Sequence, residues 1–247
     1  MPIECSAQMW LIILLGSWMH AASAEAQQPA NPWETELARV ERALIEDASD
    51  KAARKATKLA KRISREAWHD PTLGATLARI AVVRAVTAHR GDDLDRALWW
   101  WHAALQLDAR QARASTAAHA EADAFLREFS ARTPKQRSRL RDGARPKLGL
   151  VAPPVLRARP PTLLRNDGAT SARIREARVE VIADRFGQLH QPVVLEPRPH
   201  PLLIYAVLEW LIDLRAQPAE ILDSASGRTE AAAALLDVEI SLDARRR

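Results

Sequence analysis

The stretch LEWLIDLRAQPAEIL, Leu208 to Leu222, decides the fold. Upstream HPLLIYAV places Pro201 in the first turn of a helix, and the run that follows carries only Glu209 and Asp213 as charges before it reaches Arg215-x-x-Pro218-Ala219. Leu203, Val207, Trp210, Leu211 and Leu214 share one stripe at helical spacing. Pro218 cannot continue a helical ladder and pushes Gln217 toward extended geometry, so the helix is expected to stop there and return the chain to a sheet.

The strands for that sheet lie on either side. In RVEVIADRFGQLHQPVVLEP, Val179, Val181 and Ala183 alternate with Glu180, Ile182 and Asp184. After a loop containing Gly187, a second alternating run follows through Leu189, Gln191, Val193 and Leu195, which reads as a hairpin. Pro192 cannot donate to a ladder, so this second strand belongs at a sheet edge or carries a bulge. In ALLDVEISLD, Leu236, Val238, Ile240 and Leu242 alternate with Asp237, Glu239 and Ser241 to give a third strand. The order strand, strand, helix, strand predicts an α+β unit over 162–242, a small antiparallel three-stranded sheet with one helix across a face.

Upstream, Trp33 to Arg132 is rich in Ala, Leu, Arg and Glu, broken by HDPTLG and HRGDD, and predicts an all-helical domain over 33–132. Within it, two helices meet around Gly91-Asp92. Ala85, Ala97, Trp101 and Ala104 fall at the small, small, large and small positions that let antiparallel helices approach closely. The pairing resembles a tetratricopeptide repeat over one unit, with Ala109 where that repeat has proline. Trp99, Trp100 and Trp101 fan over about 200° of a helix, so at least one is expected near the surface, and Trp99 and Trp100 are candidate interface residues.

Thr133 to Pro161 has six prolines, eight basic residues and one acid, a composition that reads as an extended spacer over 133–161. It is a candidate for contact with membrane or cell-wall polyanions. The whole chain carries 36 basic and 31 acidic residues, a formal charge of +5. At the N-terminus an apolar run from Met9 to about Met19 precedes Ala22-x-Ala24 and Ala24-x-Ala26, so 1–26 is expected to be a cleaved export signal, with a short anchor as the alternative. The only cysteine, Cys5, lies before that run and would leave with it. A mature chain without cysteine has no thiol nucleophile and no cysteine metal ligand.

The scattered histidines form no HExxH, and neither a GxSxG elbow nor a glycine-rich phosphate loop is present. Neither an enzyme, a cofactor nor a metal site is expected. The basic spacer has no interleaved aromatics, so nucleic acid is not an expected partner.

From Pro160 to Leu242 the residues resemble a known family, the C-terminal domain of TonB, the periplasmic protein that couples inner-membrane energy to outer-membrane receptors. The likeness rests on the proline-led PPTLL, the strand ending in ADRFGQL, then VVLEP, the helix, the stop at Arg215, Pro218 and Ala219, and the last alternating strand. The resemblance implies a non-catalytic periplasmic or secreted adaptor that captures an extended segment of a cell-envelope protein, such as an outer-membrane receptor, by strand addition. Its alternative is an energy transducer anchored in the inner membrane by an uncleaved N-terminus, in which Ser17 and His20 would face motor partners. The expected binding edge is the last strand, through Leu236, Val238, Ile240 and Leu242.

Overall fold

The computed structural model describes residues 32–67, 70–143, 150–158, 176–196, 199–222 and 226–241. The expected export signal or anchor at 1–26, residues 144–149 and 159–161 of the spacer, and Leu242 lie outside the described residues. The described chain is α+β, with six helices and two three-stranded antiparallel sheets. Among its described residues, no helix is long and apolar enough to cross a membrane.

Helices α1 (Glu34–Ile45), α2 (Ser49–Glu66), α3 (Gly74–Arg90), α4 (Leu94–Thr116) and α5 (Ala120–Gly143) come first. The turn from α3 to α4 uses Asp92 at positive φ, and the Asp93 carboxylate accepts the Arg96 N–H at 3.1 Å, capping α4. Ala85, Ala97, Trp101 and Ala104 are all buried where α3 and α4 pack together. Helix α4 breaks at Asp108, whose backbone is extended and whose carboxylate receives the Gln111 N–H at 2.9 Å, so its last turns start from a fresh cap.

The first sheet joins β1 (Leu150–Ala152), β4 (Ala219–Leu222) and β5 (Thr229–Ala232) in the order β1-β4-β5. The second joins β2 (Glu176–Ala183), β3 (Leu189–Val194) and β6 (Ala234–Ser241) in the order β3-β2-β6. The second sheet is the one expected from the alternating runs. Pro192 behaves as its chemistry requires on both counts: β3 is an outer strand, and its pairing with β2 slips between Glu180↔Val193 and Ile182↔His190. The slip changes phase, so Val194 rather than Val193 is buried, opposite Val179.

Helix α6 (Pro201–Leu211) begins as expected, with Pro201 at its start and the His200 side chain accepting from Leu202 N–H. It ends earlier than expected. The last helical residue is Leu211, and Arg215 to Gln217 are already committed to other partners, so Pro218 does not stop the helix but precedes β4. Nor is α6 buried along one stripe only. Leu202, Leu203, Ile204, Tyr205, Val207, Leu208 and Leu211 are all buried, because α6 packs on α3 and α4 as well as on β2 and β3.

In that sandwich α6 touches both the helices and the second sheet. The described residues from Thr35 onward make one compact unit, in which α4 packs on β3 and α5 on β6. Thr133 to Gly143, expected to open the spacer, continue α5 through Pro134. Leu150–Ala152 is a strand rather than spacer, held against β4.

Candidate functional site

Strand β6 is the outer strand of its sheet, hydrogen-bonded to β2 from Glu176↔Ser241 to Ala183↔Ala234. In an antiparallel strand, successive residues point their N–H and C=O groups to opposite sides, so alternate residues of β6 turn theirs away from β2. The other outer strand, β3, packs against α4, and Gln106 Oε1 on that helix accepts the Val194 N–H at 3.3 Å.

The side chains of β6 divide cleanly. Leu236, Val238 and Ile240 are buried with Val179, Val181 and Ala177 on the core face, while Asp237 and Glu239 are exposed. The three apolar residues therefore hold the strand in place from within. What the edge has to offer a partner is main chain, with two carboxylates beside it.

The opposite face of the sheet meets α5. Glu180 in mid-β2 is buried and takes Arg137, whose guanidinium also donates to the Glu180 carbonyl at 3.1 Å and to the Gln191 carbonyl at the bulge. Arg141 reaches the same carboxylate at 2.9 Å. Burial lowers the pKa of Arg137, with Glu180 opposing that shift. His102 on α4 lies beside this cluster, 3.4 Å from Thr133 Oγ1, and burial with the nearby Arg137 charge lowers its pKa to about 4. It is therefore a neutral imidazole at neutral pH.

A second constellation forms at the corner between β2 and β3, where the two motifs behind the family likeness meet. Asp184 accepts the N–H groups of Phe186 and Gln188, each at 2.8 Å, and its carboxylate lies 3.2 Å from His190 Nε2. Burial would raise the Asp184 pKa, but the Gln188 N–H, His190 and the Phe186 N–H outweigh it and hold the carboxyl below its usual range. Gly187 sits at φ +78°, and its carbonyl accepts the Ala216 N–H at 2.8 Å. A Cβ at Gly187 would stand 2.0 Å from the Ala216 carbonyl oxygen, so only glycine lets the two chains pass. Gln188 bridges to Arg215, and Gln217 exchanges both backbone hydrogen bonds with Val155, at 2.7 and 3.1 Å. The Arg-x-x-Pro-Ala segment thus ends the helix by being held from two sides.

The candidate interface tryptophans are not at the surface. Trp99, Trp100 and Trp101 are each no more than 2% exposed, because α4 has neighbours on several sides. Trp99 Nε1 donates to the Leu208 carbonyl at 3.1 Å, Trp100 stacks near Tyr205 with ring centroids 5.5 Å apart, and Trp101 Nε1 donates to Ser130 Oγ at 2.5 Å. Arg84 lies 3.7 Å over the Trp100 ring and donates to both Tyr205 Oη at 2.9 Å and Glu209 at 2.7 Å. Burial raises the Tyr205 pKa to about 12, which keeps the hydroxyl protonated. Trp99 and Trp100 serve the internal interface with α6, and Trp101 the one with α5.

Sequence reasoning missed Arg84, Arg137 and Glu180. A signal existed for Arg84, the one charge in ARIAVVRAVTAH between Arg79 and Arg90. Arg137 stood among so many basic residues that nothing marked it.

An open groove of about 420 Å³ lies between α1, α3 and the turn from α4 to α5, with Leu44, Val82 and Val83 in its wall and the Glu41–Arg79 ion pair, 2.7 Å, on its rim. Ser115 and His119 also reach it, and among the described residues no hydrogen bond joins the two. No group of three or more His, Cys, Asp or Glu among the described residues could hold a metal ion. Comparisons with protein-family models, with curated proteins and with solved structures find no match for this chain.

Proposed function

We propose that the protein is a non-catalytic adaptor of the cell envelope that takes an extended partner segment alongside β6, in the manner of the TonB C-terminal domain that residues 160–242 resemble. The observation that carries this reading is the position of β6 as an outer strand of the β3-β2-β6 sheet, while on the opposite strand the Val194 N–H is already taken by Gln106 of α4. Added backbone hydrogen bonds supply affinity in such a mode, and Asp237 and Glu239 favour a partner strand with basic residues opposite them. The order of β2, β3, α6 and β6 along the chain, with the Asp184–Gly187 turn and the Arg215–Ala219 segment meeting at one corner, supports the likeness. The tetratricopeptide-like pairing of α3 and α4 acts in this reading as the brace behind α6.

Proline substitution tests the edge. Ile240→Pro alone is ambiguous, because Ile240 is also core. A proline scan from Asp237 through Glu239 separates the effects, since successive residues point their N–H groups to opposite sides. One position is expected to keep the melting temperature while abolishing binding of peptides taken from periplasm-facing termini of outer-membrane receptors. Peptides that bind the parent chain and every proline variant alike would sink the proposal.

A further inference from the structure

Helix α2 carries a charge pattern that strand addition does not use. Its basic residues are Lys51, Arg54, Lys55, Lys58, Lys61, Arg62 and Arg65, and at about 100° per residue all seven fall within a sector of about 120°. Ala52, Ala56, Leu59, Ala60 and Ile63 lie on the opposite side and are buried. Arg62 is engaged by Glu36 and Glu66. Among the described residues, none of the other six cations is in an ion pair, and all but the half-buried Lys55 are exposed. From Lys51 to Arg65 the row runs for about 21 Å, with a cation on every turn.

We propose that this face seats the protein on an anionic phospholipid surface. Charge complementarity requires an anionic partner, and the form of the patch selects among anions. It is the outward face of a helix rather than a groove, so it does not enclose a strand or polymer. Four of the seven cations are lysines, point charges on flexible stems that attract diffuse negative charge without the fixed fork geometry of a guanidinium on a carboxylate. Nucleic acid is disfavoured, because the sector is bordered by Asp50 and Glu66, with Ala53, Thr57 and Ser64 beyond Asp50, and no aromatic ring among them offers a stacking platform. No large apolar side chain stands in the sector to enter the bilayer, so attachment is electrostatic and salt-sensitive. The site lies on a helix apart from the β3-β2-β6 sheet in the chain and is independent of the adaptor reading.

The test is partition of the full chain onto vesicles of phosphatidylcholine alone and onto vesicles with phosphatidylglycerol mixed in. The apolar run from Met9 can itself enter either vesicle, so the quantity read is the gain that the anionic lipid brings. That gain is expected to fall about fivefold per lysine, or about a hundredfold for the triple variant Lys51→Gln, Lys58→Gln, Lys61→Gln, and to fade as salt rises. A second triple variant on α5, Arg132→Gln, Lys135→Gln, Arg139→Gln, removes the same charge from another exposed face and is expected to keep the gain. Equal loss in both variants would reduce the effect to net charge and overturn the assignment, as would no gain from phosphatidylglycerol in the parent. Patch-dependent binding of polyglutamate without vesicle binding would also overturn it, in favour of an acidic protein.

Discussion

Helix α2 buries five residues along one face and turns seven cations outward, whereas α6, only eleven residues long, buries seven around its whole circumference. The two show how far a sequence period reports its neighbours. A helix with one neighbouring layer writes that layer into its apolar stripe. A helix between two layers is apolar all round and does not say which layers enclose it. The two charges of the α6 segment do say so, for Glu209 pairs with Arg84 of α3 at 2.7 Å and Asp213 with Arg96 of α4 at 2.5 Å.

If α6 is the joint between helices and sheet, damage to it should spread to both. Leu208 has no exposed surface, and its carbonyl receives the Trp99 indole. Leu208→Ala is expected to cost about 2–5 kcal/mol, the range for a large apolar residue truncated in a core. Far-ultraviolet circular dichroism and tryptophan fluorescence should still melt together in that variant. A sheet that melts away while the helices persist would favour two domains that unfold separately.

The same contrast explains what could be read from the residues. Val179 and Val181 opposite Val238 and Leu236 were legible, since both strands keep a period of two in sequence, although β2 also buries Glu180 and Ile182 on its other face. The slip at Pro192 was announced by the proline, but the phase change that buries Val194 was not. Strands β1, β4 and β5 have three or four residues each and no room for a period. The end of α5 was hidden by its composition: Thr133 to Gly143 is basic and contains Pro134, and it is ordered by a contact with Glu180 far along the chain. The three tryptophans followed the same rule as α6, because a fan of about 200° is buried when a helix has neighbours on several sides. At the candidate site the edge strand itself was legible, whereas the role of its apolar residues was not. Alternation shows that Leu236, Val238 and Ile240 share a face and leaves open whether that face is core or partner.

A buried basic group should also behave unlike the exposed ones of α2, and His102 provides the case. In the folded protein its pKa is lowered to about 4 by burial and by Arg137, whereas the unfolded chain takes up the proton near its usual value of about 6.5. The unfolded state therefore binds more protons between those values, so stability falls as pH drops through that window and is unaffected by this group above it. The loss amounts to roughly 3 kcal/mol at most by linkage. His102→Gln should flatten that part of the stability curve measured by urea unfolding. An unchanged slope would place the proton uptake elsewhere.

The smallest effect belongs to the outward face of α2. Lys58 sits near the middle of the cationic sector, is exposed, and has no ion pair among the described residues. Lys58→Ala removes no buried contact and exchanges one good helix former for a better one, so the change in stability should stay within about 0.5 kcal/mol. Its sign carries the information. Seven like charges within one sector repel, and relief of that repulsion should make the variant slightly more stable at low salt, with the difference fading as salt is added. Destabilisation that persists at high salt would mean that Lys58 supports the fold after all, and the cations of α2 would then belong with the internal arginines of α3 and α5 rather than on a surface free to meet an anion.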